Sequence, residues 1–378
     1  NRTLIGAAAA YDPAKIDEDL DVALWSRRRW LQARALPPGL PGATRQTLLK
    51  MLSIMKTQVY SPAGRTRHRW TTPDRWPHRN MWLWDSVFHA IGWRHVDGAL
   101  ARSMLSAVVD RQREDGFIAH TLPPYSTSQI TQPPVLALGA RLVDDVAPDP
   151  AWIAGLYPKL CAYVEWDLAH RDSDGNGLVE WEIEGDPNCR SGESGMDNSP
   201  RFDTATQLDA VDFNAFLALE CEVLAGFAAS LGLAQDADKW SRRHQALCGL
   251  IRGRLWSDAH GFFVDYDVDR GVQSPVLANA GFLPLICGAA SPEQAAHLAA
   301  HLRDPGMFGT AFPVPTVAAR DTAHYAKDMW RGPTWVNLNW LIAYGLDRYG
   351  MGDLATGLRQ QTMDEIERGY QAYGVAFE

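Results

Sequence analysis

Apolar residues recur at intervals of three and four along most of this chain of 378 residues, a spacing that places them on one face of an α-helix. Eleven segments show the pattern, and several begin with a capping signal, as where Ser291 precedes Pro292. The predicted helices are residues 46–60, 83–96, 98–112, 134–146, 151–170, 209–231, 236–256, 274–287, 292–302, 333–349 and 354–369. The pattern therefore predicts an all-α fold.

The arrangement of these helices is indicated by the segment from Asp209 to Leu231. It carries two neighbouring apolar stripes, so this helix should be buried on two sides, as in an inner layer surrounded by an outer one. Strand-like text is limited to short pieces that start at Gly177 and Gly261, which predict small hairpins in the loops. Long connections follow every second helix. These features favour an (α/α)6 toroid whose long loops gather around a funnel at one end.

Two ends of the chain depart from this plan. Residues 1–43 contain an alanine run, an acidic stretch and the linker-like LPPGLPG, and they are predicted to be an N-terminal extension or linker. Residues 44–378 are predicted to form the helical domain. Six helix pairs need twelve helices, whereas eleven are predicted. Either the chain continues beyond Glu378 or the toroid lacks its last helix.

Bulk composition argues against several classes of partner. The formal net charge of −9 disfavours nucleic acid, and no apolar run approaches the roughly 20 residues that cross a bilayer. The five cysteines are far apart, without a Cys-x-x-Cys pair, which is typical of small core residues in a reducing compartment. A cytoplasmic location is therefore expected. The oligomeric state is not indicated by the sequence.

The predicted loops hold most of the unusual residue groups. They mix several of the 15 tryptophans with carboxylates, amides and arginines. Flat apolar faces combined with paired hydrogen-bonding groups suit a polyhydroxylated ligand. The groups are RWPHRNMWLWDS, DGFIAH, SQITQPP, DSDGNGLVEWE, ESGMDNSPRFD and YAKDMWRGPTW. Together they predict a carbohydrate pocket.

Four of these motifs resemble, in the same order, the signatures of glycoside hydrolase family 63. They are WLWDS at 82–86, ITQPP at 130–134, ESGMDNSPRFD at 193–203 and WRGPTW at 330–335. The resemblance covers residues 45–378. It implies an (α/α)6 toroid and an inverting glycosidase that acts mostly on α-glucosides, with some members acting on mannosylglycerate or glucosylglycerate. A carbohydrate substrate is expected.

The resemblance also implies the two catalytic carboxyl groups. It places the general acid at Asp197, whose pKa the neighbouring Glu193 would raise by like-charge repulsion. Alternatively, Asp197 and Asn198 could simply turn the loop by bonding their own backbone. The general base of the family matches Glu378, but the tyrosines and the Asn-Pro that follow it in the family are missing here.

Further residues of these motifs are predicted to contact the sugar. Trp82, Trp84 and Asp85 would form the floor of the subsite, and Arg331 would bridge the base to the substrate between the walls Trp330 and Trp335. One of the two tryptophans in MWLWDS is expected to be a core residue instead. The full set of predicted substrate-binding residues is Trp82, Trp84, Asp85, His120, Gln132, Glu193, Arg201, Trp330, Arg331 and Trp335.

The segment from Asp172 to Glu180 resembles a calcium loop only in part. Asp172, Asp174 and Asn176 occupy positions 1, 3 and 5, but Ile183 stands where an EF-hand has its bidentate glutamate. A tight turn is the favoured interpretation, and no cofactor is predicted. Calcium with a further ligand from elsewhere stays open, because some relatives of the family bind it.

The sequence thus predicts an inverting α-glycosidase. A trehalase-like enzyme of the same fold is the second interpretation. Sugar-glycerate hydrolysis ranks lower, because only a short connection joins Asp203 to Asp209, where relatives acting on such substrates carry a long insertion. A carbohydrate-binding protein with impaired catalysis is the non-enzyme alternative.

Overall fold

The structure is a computed structural model that describes residues 12–34, 36–74, 76–122 and 127–377. Twelve α-helices are present within these residues. They are α1 (Ile16–Gln32), α2 (Gly42–Thr57), α3 (Leu83–Trp93), α4 (Gly98–Val109), α5 (Leu136–Val146), α6 (Pro150–His170), α7 (Val211–Ser230), α8 (Ala234–Arg254), α9 (Pro284–Cys287), α10 (Pro292–Arg303), α11 (Val336–Arg348) and α12 (Gly352–Tyr373).

Short strands decorate the loops between the helices. They are β1 (Val59–Tyr60), β2 (Trp70–Thr71), β3 (Met81–Trp82), β4 (Thr121–Leu122), β5 (Leu208–Asp209), β6 (Trp256–Ser257), β7 (Phe262–Phe263), β8 (Tyr266–Asp267) and β9 (Val272–Gln273). All pairings between these strands are antiparallel, in the orders β1-β2, β3-β4, β5-β8-β9 and β6-β7. The predicted fold, all-α with small hairpins in the loops, is confirmed.

The helices form two concentric layers. Helices α3, α5, α7, α9 and α11 pack side by side as an inner ring, and α4, α6, α8 and α12 each pack on the inner helix that precedes them. Helix α2 packs against α12. This alternation is the predicted (α/α)6 toroid. The long loops lead into the first residues of the inner helices, so they gather at one end of the ring.

Helix α7 is the longest helix of the inner ring. It is long and apolar enough to cross a bilayer by length and composition. Most of its residues, however, lie inside the core between α5, α8 and α9. Its apolar surface on two sides is explained by this burial, as the sequence predicted for the segment from Asp209 to Leu231.

Two predicted elements differ from the structure. The segment predicted as helix 274–287 is helical only in α9 and in the preceding 3-10 turn Asn279–Phe282. Its backbone instead bonds a neighbouring loop, with Asn279 N donating to the Thr316 carbonyl at 3.0 Å. Helix α2 ends at Thr57 rather than residue 60, because Val59 and Tyr60 pair with β2.

The predicted N-terminal extension contains a helix, α1, that lies against the toroid. Arg27 Nη2 donates to Ser53 Oγ at 2.9 Å, and the rings of Trp30 and Trp93 are 5.9 Å apart. The remaining part of the extension that precedes residue 12 lies outside the described residues. The domain boundary at residues 43 and 44 stays a prediction, as does a cytoplasmic location. The five cysteines are free.

An acidic side chain, Asp167 of α6, is fully buried beneath the loop end of the toroid. Neither of its carboxyl oxygens has a hydrogen-bond partner among the described residues. Burial raises its pKa well above the usual value, and the nearby charge of Glu193 raises it further. The folded protein therefore favours the protonated, neutral form of Asp167.

Replacing Asp167 by asparagine should stabilise the protein above neutral pH. The unfolded chain ionises Asp167 above pH ~3.9, so wild-type stability falls as the pH rises from there towards the folded-state pKa. Asp167→Asn removes this term, and we expect a gain of at least about 1 kcal/mol at pH 8 that disappears near pH 4. Urea unfolding at several pH values measures it. Asp238→Asn, at an exposed site on α8, is the control and should change nothing. Equal stability of Asp167→Asn and wild type at pH 8 would contradict the assignment.

Candidate active site

The first wall of the site is formed where β3 meets α3. Pairing of β3 with β4 places Trp82 opposite Thr121, next to His120. The rings of Trp82 and His120 meet edge to face at 5.2 Å, and His78 meets Trp82 at 5.7 Å. Burial lowers the pKa of His120 to about 4, so this imidazole is neutral. Trp82, which is half-buried, therefore faces two imidazole rings.

A second motif holds this wall in place. Gln132 Oε1 accepts from the backbone N of Trp84 at 2.9 Å, at the first turn of α3. The neighbouring Thr131 donates its backbone N–H to Glu193 Oε1 at 2.9 Å. The segment 130–134 therefore links the start of α3 to the loop that carries Asp197. Gln132 is almost fully buried, so its clearest role is to position Trp84.

Glu193 anchors the beginning of that loop. Its carboxylate is fully buried and accepts from Arg171 Nη2 at 2.7 Å and Nε at 3.0 Å, and from the backbone N of Glu182 at 2.8 Å. A side chain with no exposed surface cannot touch a ligand. This corrects the prediction that Glu193 contacts the substrate: it ties the loops 118–132, 171–182 and 190–203 together.

Arg201 anchors the middle of the loop. It is 3% exposed and forms paired hydrogen bonds with Asp212 at 2.7 and 2.8 Å and with Asp265 at 2.6 and 2.9 Å. These two charges raise the pKa of the guanidinium despite its burial. The prediction that Arg201 binds substrate is therefore corrected: both sides of its guanidinium are occupied within the core.

The end of the loop is held by the WRGPTW segment. Arg331 pairs with Asp203 through two hydrogen bonds of 2.8 and 2.6 Å, and its Nη1 also donates to the Asn198 carbonyl. Asn198 Oδ1 accepts from the backbone N of Trp330, and its Nδ2 donates to Asp328. Arg331 is about three-quarters buried, with Asp203 as its charged partner. Its predicted bridge to the base stays a prediction.

Three tryptophans form a continuous platform. Trp330 stacks on Trp335 with ring centroids 4.0 Å apart and lies 6.1 Å from Trp84. Trp84 and Trp330 are nearly buried, whereas Trp335 is half-buried and donates Nε1–H to the Met329 carbonyl. Trp335 and Trp82 therefore offer more ring surface to a ligand than Trp84 and Trp330 do.

Close backbone packing sets the position of the loop above Trp84. Gly195 has a φ of +67°, and a Cβ atom built there would lie 2.5 Å from the Trp84 ring. Only glycine accommodates both the conformation and the contact. Asp85 lies next to this contact, half-buried in the first turn of α3. The two sequence motifs thus meet directly.

Asp197 lies within the anchored loop, and its carboxyl group has an environment that favours the neutral form. Burial raises its pKa to about 6, a hydrogen bond from the Cys189 thiol opposes this, and the charge of Glu184 adds to it. Glu184, rather than the predicted Glu193, is the carboxylate that raises it. The backbone carbonyl of Asp197 accepts from the N–H of Arg190 and Ser191. The arrangement supplies an acid that is partly protonated near neutral pH.

Sequence reasoning missed Glu184, Cys189 and His78, which surround the Asp197 carboxyl. Glu184 and Cys189 belong to a small hairpin closed by the Asp186–Cys189 bridge, and none of the recognised motifs includes them. His78 precedes β3 within RWPHRN, a segment whose composition indicates a loop motif but no separate role for this histidine. No local spacing could have connected these three residues to Asp197.

The predicted calcium segment forms the favoured tight turn. Asp172 Oδ2 accepts from Gly177 N, Asp174 Oδ1 from Asn176 N, and Asn176 Oδ1 from Leu178 N. Asn176 is thereby used within the turn. Oxygens of Asp172, Asp174 and Glu180 all lie within 4.8 Å of one another, and oxygen donors are those that Ca²⁺ prefers. This three-carboxylate set fits calcium in donor type.

The predicted base, Glu378, lies outside the described residues. The preceding Phe377 meets Tyr373 of α12 edge to face at 5.4 Å. The separation between Asp197 and Glu378, on which the predicted mechanism depends, stays a prediction.

Comparison with known proteins agrees with the geometry. Residues 78–376 match the model of the mannosylglycerate hydrolase MGH1-like glycoside hydrolase domain. Mannosylglycerate hydrolase MGH1 of Selaginella moellendorffii is 26% identical, over 79% of this chain and 76% of that protein. Mannosylglycerate hydrolase of Thermus thermophilus is 27% identical, over 82% and 91%. The crystal structure of a GH63 mannosylglycerate hydrolase from Thermus thermophilus, in complex with Tris and D-glycerate, aligns with a TM-score of 0.74 at 25% identity, over 85% of this chain and 92% of that one.

The role of Glu193 can be tested with Glu193→Gln. Loss of the charge leaves Arg171 without its buried partner, so we expect a loss of about 3 kcal/mol in the free energy of unfolding, with a lower kcat. Thermal and urea unfolding together with steady-state kinetics measure both. Glu182→Gln, on the adjoining segment, is the matched control, since only its backbone N–H bonds Glu193. A raised KM with unchanged stability would instead restore Glu193 as a substrate contact.

Proposed function

The chain belongs to the mannosylglycerate hydrolase MGH1-like glycoside hydrolase domains of glycoside hydrolase family 63, and from this premise we propose that it cleaves the α-glycosidic bond of a small glycoside with inversion at the anomeric carbon. The observation that carries the proposal is the anchored, largely buried Asp197, whose pKa is raised to about 6 by burial. Such a group can donate a proton to a departing glycosidic oxygen near neutral pH.

In the proposed reaction, Asp197 protonates the bridging oxygen while a second carboxylate removes a proton from water on the opposite face of the sugar. The bond from the anomeric carbon to the leaving oxygen breaks as the bond from water forms, which inverts the configuration. Inverting enzymes keep their two carboxyl groups ~6.5 to 9.5 Å apart to admit that water. We assign the second carboxylate to Glu378 by its place in the sequence pattern. Trp82 and Trp335 are proposed to stack against the sugar, with Asp85 accepting from its hydroxyls.

The proposed substrate class is a small α-glucoside. The connection between Asp203 and Asp209 has five residues, and its Thr206 is bonded to Asp269 in the neighbouring loop, so it is too short to form a long lid. A sugar glycerate is the second candidate. It is favoured because the relatives above are mannosylglycerate hydrolases and because one relative's crystal structure contains D-glycerate. A panel of α-glucosides, mannosylglycerate and glucosylglycerate separates the two.

Asp197→Asn should reduce kcat by at least about 1,000-fold without lowering the melting temperature. The amide cannot donate a proton of the required acidity, yet it has the same shape as the carboxyl group. Proton NMR of the first product formed by the wild type identifies its anomer and should show the β-anomer from an α-glucoside.

Asp203→Asn is a useful comparison, since it weakens the Arg331 pair without touching the proton donor and should retain measurable turnover. Full activity of Asp197→Asn would reject Asp197 as the acid. An α-anomer as first product would reject inversion while leaving the hydrolase assignment intact.

The pH dependence should report Asp197 directly. Since the protonated form is active, kcat/KM should fall as the pH rises through about 6, the pKa of this group. Glu184→Gln removes the like charge that raises this pKa, so the alkaline limb should move to lower pH and activity at pH 7 should fall roughly threefold. Glu182→Gln should leave the profile in place. An unchanged limb in Glu184→Gln would show that another group controls it.

A further inference from the structure

A groove on the outer surface of the toroid is separate from the Asp197 loop and its anchors. It lies between the outer helices α4 and α6 and is closed on one side by the tight turn after β1. Ala63 and Thr66 exchange two backbone hydrogen bonds of 3.1 Å across that turn. The cavity has a volume of about 690 Å³, within the range of ~300 to 1,000 Å³ for small-molecule sites.

The walls of this groove carry an excess of positive charge. Arg65, Arg67 and Lys159 line it, and Arg111 adjoins two lining residues in the sequence. Their side chains form no ion pair or hydrogen bond with any described residue. Burial and the nearby charge of Arg65 lower the pKa of Arg111, and the charge of Asp110 partly opposes this. This concentration of cations stands out in a chain with a net charge of −9.

One carboxylate of the described residues, that of Asp110, lines the groove, and its Oδ2 is already occupied. Asp110 Oδ2 accepts from the backbone N of Arg67 at 2.7 Å and contacts His68 Nδ1 at 2.9 Å. It therefore holds the turn in place over the groove, with its acceptor directed to backbone and imidazole. The guanidinium and ammonium groups of the wall remain available to an external anion.

The floor of the groove contributes an apolar surface. Trp152, at the start of α6, is half-buried and donates Nε1–H to Ser106 Oγ of α4 at 3.0 Å, which fixes the orientation of the indole. A fixed indole presents a flat face on which a sugar ring can stack. Arginine and lysine side chains are the usual protein ligands of phosphate. The two features complement a molecule that has a sugar ring and a phosphate group.

We propose that the groove formed by Arg65, Arg67, Trp152 and Lys159 is a second binding site, for a sugar phosphate. The phosphate lies among the three cations and the sugar ring lies against Trp152. The site is independent of the proposed reaction, because it uses none of the groups assigned to the active site.

Isothermal titration calorimetry with glucose 6-phosphate, inorganic phosphate and glucose tests the proposal on the full chain. The sugar phosphate should bind at least about tenfold more tightly than either fragment, and its affinity should fall as the salt concentration rises. The Arg65→Ala/Arg67→Ala double variant should weaken binding at least about tenfold. Trp152→Phe should weaken glucose 6-phosphate more than inorganic phosphate.

Arg69→Ala is the matched control. Arg69 is exposed and follows Arg67 by two residues, but it lies near Lys56 and does not line the groove, so affinity should be unchanged. Melting temperatures of the arginine variants should equal that of the wild type, since the altered arginines are exposed. Equal affinity for glucose 6-phosphate and inorganic phosphate would overturn the sugar-binding assignment. Binding that survives the double variant, or no binding at all, would overturn the site.

Discussion

The site depends on the buried ion pair between Arg171 and Glu193. One carboxylate receives the guanidinium together with the backbone N–H groups of Thr131 and Glu182, so three loops from separate parts of the chain converge on it. Taking both charges out of water costs several kcal/mol, and such pairs often contribute little net stability. This pair instead fixes the relative position of the three loops, because moving one loop away from the others would leave a buried charge without its partner.

The same principle is repeated along the loop and explains the properties of Asp197. Arg201 forms ion pairs with Asp212 and Asp265, and Arg331 forms one with Asp203. Because these arginines are paired with structural carboxylates, neither is among the groups that lower the pKa of Asp197. Burial therefore dominates, and the carboxyl group keeps its proton to higher pH. The ion pairs hold Asp197 in position without lowering its pKa.

The helices could be predicted from the sequence, whereas the residues that pair with one another across the fold could not. Helical periodicity predicted most of the inner and outer helices, because the apolar stripe of a helix is visible within one continuous segment of sequence. The role of Glu193 depends on Arg171 and Thr131, which lie 22 and 62 residues away. A buried arginine such as Arg201 looks identical in sequence to one that binds a ligand. Only the fold distinguishes them, since it determines which charges become buried together.

The tryptophans of the motifs also differ in how far they are buried, and this difference separates those that pack from those that can contact a ligand. The rings of Trp335, Trp330 and Trp84 follow one another at 4.0 and 6.1 Å, and Phe88 continues the row from Trp84 to Trp340 of α11. This row joins the first inner helix to the last across the ring. Trp84 and Trp330 are nearly buried and can only support the neighbouring rings, because a sugar needs an exposed ring face to stack on. Within WLWDS and WRGPTW, the accessible ring surface that stacking requires is therefore found on Trp82 and Trp335.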